Sequence, residues 1–103
     1  MNDITAQELK ERLDAGETIH MIDVREAGER AEFNIGGEFI PLGFLIQKLD
    51  EMKDQKEEEI VVYCRSGARS GLAKEFMTQR GFGKVRNLLG GMSNWQMNFP
   101  SGK

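Results

Sequence analysis

Glu59-Ile60-Val61-Val62-Tyr63-Cys64-Arg65-Ser66-Gly67-Ala68-Arg69-Ser70 is the stretch on which the rest of the chain depends. Its first part is a continuous apolar run bounded by charges, the pattern of a strand buried on both faces. Beyond the loop, Leu72, Ala73, Phe76 and Met77 recur at the spacing of an amphipathic helix. The expected order is strand, tight loop, helix, with Cys64 where the strand stops. In such a unit the loop amides can turn inward around an anion, and the helix start adds partial positive charge. Cys64 would lie at the bottom of that cradle with Arg65 and Arg69 flanking it. Cations and helix N-termini favour thiolate over thiol, so Cys64 reads as a nucleophile.

The whole chain sets the outer limits. Its 103 residues predict one domain over 1–103, large enough for its own core. The 39% hydrophobic and 30% charged composition is that of a soluble globular protein. A net charge of -3 argues against nucleic acid or an anionic membrane as the main partner, since those require concentrated Lys and Arg. One cysteine cannot close an internal disulfide, which fits a reducing compartment. With no signal-like opening and no apolar run long enough to span a bilayer, a cytoplasmic location is expected. One cysteine and one histidine cannot build a structural zinc site, and no metal or other cofactor is expected.

Working outward toward the N-terminus, Thr5-Ala6-Gln7-Glu8 matches a capping box, and Leu9 and Leu13 continue a packing helix that Gly16 ends. Ile19, Met21, Ile22 and Val24 make a short strand around His20, an ordinary strand-end histidine with no partner evident in the sequence. Asp23 and Arg25 fall at that strand's carboxyl end, the ligand-binding edge of an open parallel sheet, where they are expected to brace neighbouring loops. Glu26 to Glu32 suggest a short solvated helix with Ala27 and Ala31 facing inward. Gly36 and Gly37 permit the backbone angles of a loop into a strand that Pro41 ends. Leu42, Leu45, Ile46, Leu49 and Met52 predict an amphipathic helix over about Gly43 to Lys53, followed by a charged solvated linker to Glu59. Toward the C-terminus, the spacing predicts a helix over about Arg69 to Arg80, ended by Gly81, and a strand over Lys84 to Leu88. Gly90-Gly91 then turns the chain into a short helix whose Trp95 closes the core. Phe99 to Lys103 reads as a fraying tail.

Four of these stretches carry a resemblance: Asp23-Val24-Arg25-Glu26; Ile35-Gly36-Gly37 leading to Ile40-Pro41-Leu42; the cysteine loop; and Gly81-Phe82 through Asn87-Leu88-Leu89-Gly90-Gly91-Met92 to Trp95. From about Ile4 to Trp95 the chain resembles a single-domain rhodanese, a sulfurtransferase module. It departs from that pattern at Asn34, where rhodaneses often carry a histidine, and at Glu38, where they carry a small residue; Asn34 still offers both a donor and an acceptor. The resemblance implies an α/β fold with a central parallel five-stranded sheet and helices on both faces, and a transient persulfide on Cys64.

By that resemblance, thiolate Cys64 takes the outer sulfur of a small anionic donor such as thiosulfate and passes it to cyanide, a thiol or a protein cysteine. Arg65, Ser66, Gly67, Ala68, Arg69 and Ser70 would bind the substrate: the amides stabilise the outer sulfur, the arginines attract the anion, and the Ser70 hydroxyl adds a donor. Three other accounts compete. Cys64 could be an inert core residue, although arginines, glycine and a strand-to-helix junction around it argue otherwise. A cysteine phosphatase or arsenate reductase would need five residues between the cysteine and its arginine, and here there are four. A persulfide-carrying relay or docking module for a partner protein would share the same loop, because fold and motif do not fix the acceptor.

Overall fold

In a computed structural model of the chain, which describes residues 1–100, four parallel strands form one sheet. They are β1 (His20–Asp23), β2 (Glu38–Phe39), β3 (Ile60–Tyr63) and β4 (Val85–Asn87), in the order β2-β1-β3-β4. The helices are α1 (Ala6–Asp14), α2 (Ala27–Glu32), α3 (Leu42–Lys48), α4 (Ala68–Gln79) and α5 (Gly91–Asn98), with a 3-10 helix over Leu49–Gln55. Asp23 lies beside both Phe39 and Tyr63, and Val62 lies beside Asn87. All four strands therefore finish at one edge, and the loops that follow them meet there.

The alternation of β3 divides the core in two. Ile60, Val62 and Cys64 face one side, where they join Leu45, Leu49 and Met52 from α3 and the 3-10 helix and Ala73 and Met77 from α4. Val61 and Tyr63 face the other, against Ile4, Ala6 and Leu9 near α1 and Met92 and Trp95 of α5. Every residue of β3 is buried, as expected of a central parallel strand covered by helices on both faces. No helix among the described residues is long and apolar enough to cross a membrane.

Several expectations need correction. Among the described residues the sheet has four strands and not five: Ile4 meets the chain just beyond β4 through an isolated parallel bridge to Leu88, with its amide on the Asn87 carbonyl at 3.0 Å. Thr5 immediately caps α1, so the chain turns helical before a fifth strand can extend. The capping box is half formed. The Thr5 hydroxyl accepts from the Glu8 amide at 3.0 Å, but the Glu8 carboxylate reaches Arg86. Ala27 and Ala31 are exposed and α2 buries no residue, because its Arg30 and Glu29 make the inward contacts. Leu72 is 44% exposed, while Ala73 and Met77 carry the packing of α4.

Other expectations hold in detail. Leu45, Leu49 and Met52 are buried, although the helix tightens to 3-10 geometry after Lys48. Trp95 is fully buried and closes the core, with the Phe99 ring edge-on at 4.9 Å. Phe99 is thus packed; of the expected fraying tail, Ser101 to Lys103 lie outside the described residues.

Candidate functional site

Cys64 follows directly on β3 and is 1% exposed. The chain then loops through Arg65, Ser66 and Gly67 and enters the twelve-residue helix α4 at Ala68. Gly67 has φ +104°, a left-handed conformation that side chains resist and glycine adopts freely. This turn aims donors at the sulfur. The Gly67 amide lies 3.1 Å from Cys64 Sγ, the Ser70 amide 3.4 Å and the Ser70 hydroxyl 3.2 Å.

The loop carbonyls face the opposite way because α5 takes them. The amides of Met92 and Ser93 donate to the carbonyls of Cys64 and Arg65, both at 2.9 Å. This close approach explains Gly91, where a Cβ would overlap the Cys64 carbonyl oxygen and the Arg65 carbonyl group. The start of one helix thus fixes the outer side of the loop, and the start of another faces its inner side.

Burial alone pushes the Cys64 thiol up. The Ser70 hydroxyl and the amides of Ser70, Gly67 and Ser66 outweigh it, leaving the thiol below its ordinary range. Hydrogen bonds are thus the main stabilisers of the anionic sulfur, and Arg69 has a favourable charge interaction with Cys64 as well. Arg69 forms a two-pronged pair with Glu29, both contacts at 2.8 Å, and ties α4 to α2. That pairing holds the Glu29 carboxyl down at about 2. Arg65 is exposed and makes no ion pair among the described residues. It lines a cleft of about 420 Å³ beside the loop, together with Arg25, Glu29, Phe33 and Met92. Ser66 and Ala68 are exposed on the rim, and Ser70 is fully buried beneath it.

Asp23 and Arg25 brace this edge as expected. The buried Asp23 carboxylate takes two hydrogen bonds at 2.9 Å from the Arg25 guanidinium, which also donates to the Phe33 carbonyl at 2.6 Å. Asn34 uses both of its functions: it donates to the Arg30 carbonyl at 3.1 Å and accepts from the Gly36 amide at 2.8 Å. His20 stands at the opposite edge, with Nε2 2.6 Å from Glu38 and Nδ1 3.1 Å from Glu58, so both partners lie far away in sequence.

One residue of the site escaped the sequence reading. Asn87, the last residue of β4, reaches under the loop to Ser70 and Gly67. No local pattern marked it, since β4 is only Val85-Arg86-Asn87 and already carries a charged residue. Among the described residues no group of three or more His, Cys, Asp and Glu side chains could hold a metal ion.

Comparison with known proteins agrees with this arrangement. A sequence profile of the rhodanese-like domain matches residues 5–98. The chain is 34% identical over 96 residues to a sulfurtransferase of Allochromatium vinosum, covering 92% of this chain and 88% of that protein. It is 36% identical over 97 residues to the putative sulfurtransferase YtwF of Bacillus subtilis, covering 93% and 91%. Among solved structures, a rhodanese-like domain protein from Staphylococcus aureus superposes with a TM-score of 0.81 at 29% identity, covering 92% of this chain and 91% of that one. With a profile match over nearly its whole length and a cysteine seated between a parallel strand and a glycine-led helix, this chain belongs to the rhodanese-like domain family.

Proposed function

We propose that this protein is a sulfurtransferase that moves sulfane sulfur from thiosulfate or a similar anionic donor, through a persulfide on Cys64, to cyanide or a thiol. The observation that carries the reading is the convergence of the Gly67 amide, the Ser70 amide and the Ser70 hydroxyl on one sulfur atom. Donors fixed in advance stabilise charge without having to reorient as it develops. They hold the thiolate before reaction, and the inward amides are suited to the terminal sulfur after it.

In the first step the Cys64 thiolate attacks the outer sulfur of thiosulfate. The new sulfur–sulfur bond forms as the donor's own breaks, and sulfite departs with the bonding electron pair. Two negative charges enter with the donor and two leave with sulfite, so the cysteine persulfide keeps the single charge of the thiolate. In the second step cyanide or a thiolate attacks the outer sulfur and Cys64 leaves as thiolate. Arg65, free of an ion-pair partner among the described residues, lines the cleft through which the anion would approach. The same chemistry serves a relay that hands its sulfur to a protein cysteine. Phosphatase or arsenate reductase chemistry is disfavoured, because it needs an arginine turned onto an oxyanion and Arg69 is committed to Glu29.

Intact mass after incubation with thiosulfate tests the reading. Wild type should gain one sulfur atom and lose it to cyanide, and Cys64→Ala should gain nothing. A wild-type protein that stays unmodified while hydrolysing an aryl phosphate would overturn the proposal. Loading followed by very slow release to cyanide and rapid release to a protein thiol would identify the relay.

A further inference from the structure

Asn87 lies on the strand next to the cysteine loop and is 8% exposed. Its main chain is held on both sides: the amide donates to the Asp3 carboxylate at 3.0 Å, and the carbonyl accepts from the Ile4 amide at 3.0 Å. Its side chain is pinned as well. Nδ2 donates to the Gly67 carbonyl at 3.1 Å, which leaves Oδ1 facing the Ser70 hydroxyl at 2.6 Å. Even the adjacent turn of α4 leaves room for it, since a Cβ at Gly71 would come within 3.3 Å of Nδ2.

These contacts close a ring. Cys64 Sγ takes the Gly67 amide, the Gly67 carbonyl takes Asn87 Nδ2, Asn87 Oδ1 takes the Ser70 hydroxyl, and Ser70 Oγ returns to Cys64 Sγ at 3.2 Å. Ser70 has one hydroxyl proton and two acceptors, Oδ1 and Sγ. While Cys64 is a thiol, the hydroxyl can donate to Asn87 Oδ1. Once the sulfur is anionic, the hydroxyl turns to it from a position Asn87 has already set.

We propose that Asn87 is a positioning residue for sulfur transfer, whose carboxamide anchors the cysteine loop at the Gly67 carbonyl and sets the Ser70 hydroxyl at hydrogen-bond distance from the reacting sulfur. It touches neither the sulfur nor a substrate. The proposal rests on the sulfurtransferase reading for its place in the reaction, while its geometric content concerns the reactivity of Cys64 alone. Asp3, Lys74 and Glu75 line a hollow of about 380 Å³ together with Asn87. Burial pushes the Asp3 carboxyl up, but hydrogen bonds from Lys74 and the Asn87 amide outweigh it and leave it below its ordinary range.

The test measures iodoacetamide alkylation of Cys64 against pH in wild type, Asn87→Ala, Asn87→Asp, Ser70→Ala and the Ser70→Ala/Asn87→Ala double variant, with circular dichroism to establish folding. Asn87→Ala should move the midpoint up by about one pH unit, which slows alkylation about tenfold below the midpoint. Asn87→Asp has the same size but offers no N–H to Gly67 and places a carboxylate at Ser70, so its midpoint should rise further. The double variant should shift by less than the sum of the single variants, because both act through one hydroxyl. A folded Asn87→Asp protein with the wild-type profile, or a fully additive double variant, would overturn the assignment. If Asn87→Ala fails to fold, the isosteric Asn87→Asp decides. Alkylation needs no sulfur donor, so a wild type that never loads sulfur would sink the transferase reading while the profile still judges Asn87.

Discussion

Replacing Ser70 with alanine removes a single oxygen atom and gives the sharpest test of how the cysteine is activated. Ser70 is fully buried, and its Oγ lies 3.2 Å from Cys64 Sγ and 2.6 Å from Asn87 Oδ1. A hydrogen bond to a charged group contributes about 1.5–3 kcal/mol. Sulfur is a weak acceptor, which places the effect near the lower end. About 1.5 kcal/mol corresponds to roughly one pH unit in the ionisation of Cys64. The Gly67 and Ser70 amides remain in the variant, so the thiol should stay ionisable and not revert to inertness. The midpoint of iodoacetamide alkylation should therefore rise by about one unit, with the plateau rate at high pH nearly unchanged. Stability should also fall by about 1–3 kcal/mol in urea, because Asn87 Oδ1 loses its buried donor. An unchanged alkylation midpoint in a folded Ser70→Ala protein would refute the reasoning, since the hydroxyl would then contribute nothing to the anionic sulfur.

Two further outcomes follow from the same geometry. Arg65→Ala should slow sulfur loading from thiosulfate and weaken its dependence on ionic strength, while the alkylation midpoint stays within a few tenths of a pH unit; stopped-flow loading at two salt concentrations checks this, and a midpoint shift of a full unit would return the guanidinium to the thiolate's own stabilisation. Glu59 takes hydrogen bonds from Arg12 at 2.7 and 2.8 Å and from Arg86 at 3.0 Å, and the Arg12 contact in particular draws its carboxyl from 4.5 down to about 2. A carboxyl held lower in the folded state stabilises fully above its unfolded value and loses that contribution as pH falls toward the folded one. Glu59→Gln should therefore cost about 1–2 kcal/mol in urea unfolding at neutral pH, after allowing for partial exposure, and the gap to wild type should close between about pH 4.5 and pH 2. A constant gap across that range would show that the ion pairs do not supply the acid dependence.

Much of the architecture was legible because it depends on local pattern. The unbroken apolar run Ile60-Val61-Val62-Tyr63 admits only a strand covered on both sides, and all four residues are buried. The tight loop expected after Cys64 is present, and its Gly67 takes a φ of +104° that side chains resist. Leu45, Leu49 and Met52 kept their helical spacing even where the backbone tightened. The fifth strand misled because strand length is settled by competition: Ile4 pairs just beyond β4, and the Thr5 cap then starts a helix. The inward alanines of α2 misled for a related reason. A short helix with no apolar stripe docks by its charged side chains: Arg30 reaches the Gly37 carbonyl seven residues on, and Glu29 reaches Arg69, which is near only once the chain has folded.

By itself, then, the sequence determined that Cys64 ends a buried strand and precedes a glycine-led helix, because burial and backbone permissiveness are properties of neighbouring residues. The folded chain decided which groups reach the sulfur. Arg69, five positions from the cysteine, is held in a pair with Glu29, forty residues distant, while it keeps a charge interaction with Cys64. Asn87, twenty residues beyond the loop, reaches beneath it because β4 and β3 lie in parallel register. Hydrogen bonds and ion pairs act over about 3 Å in space, and only the packed sheet sets which distant residues come that close.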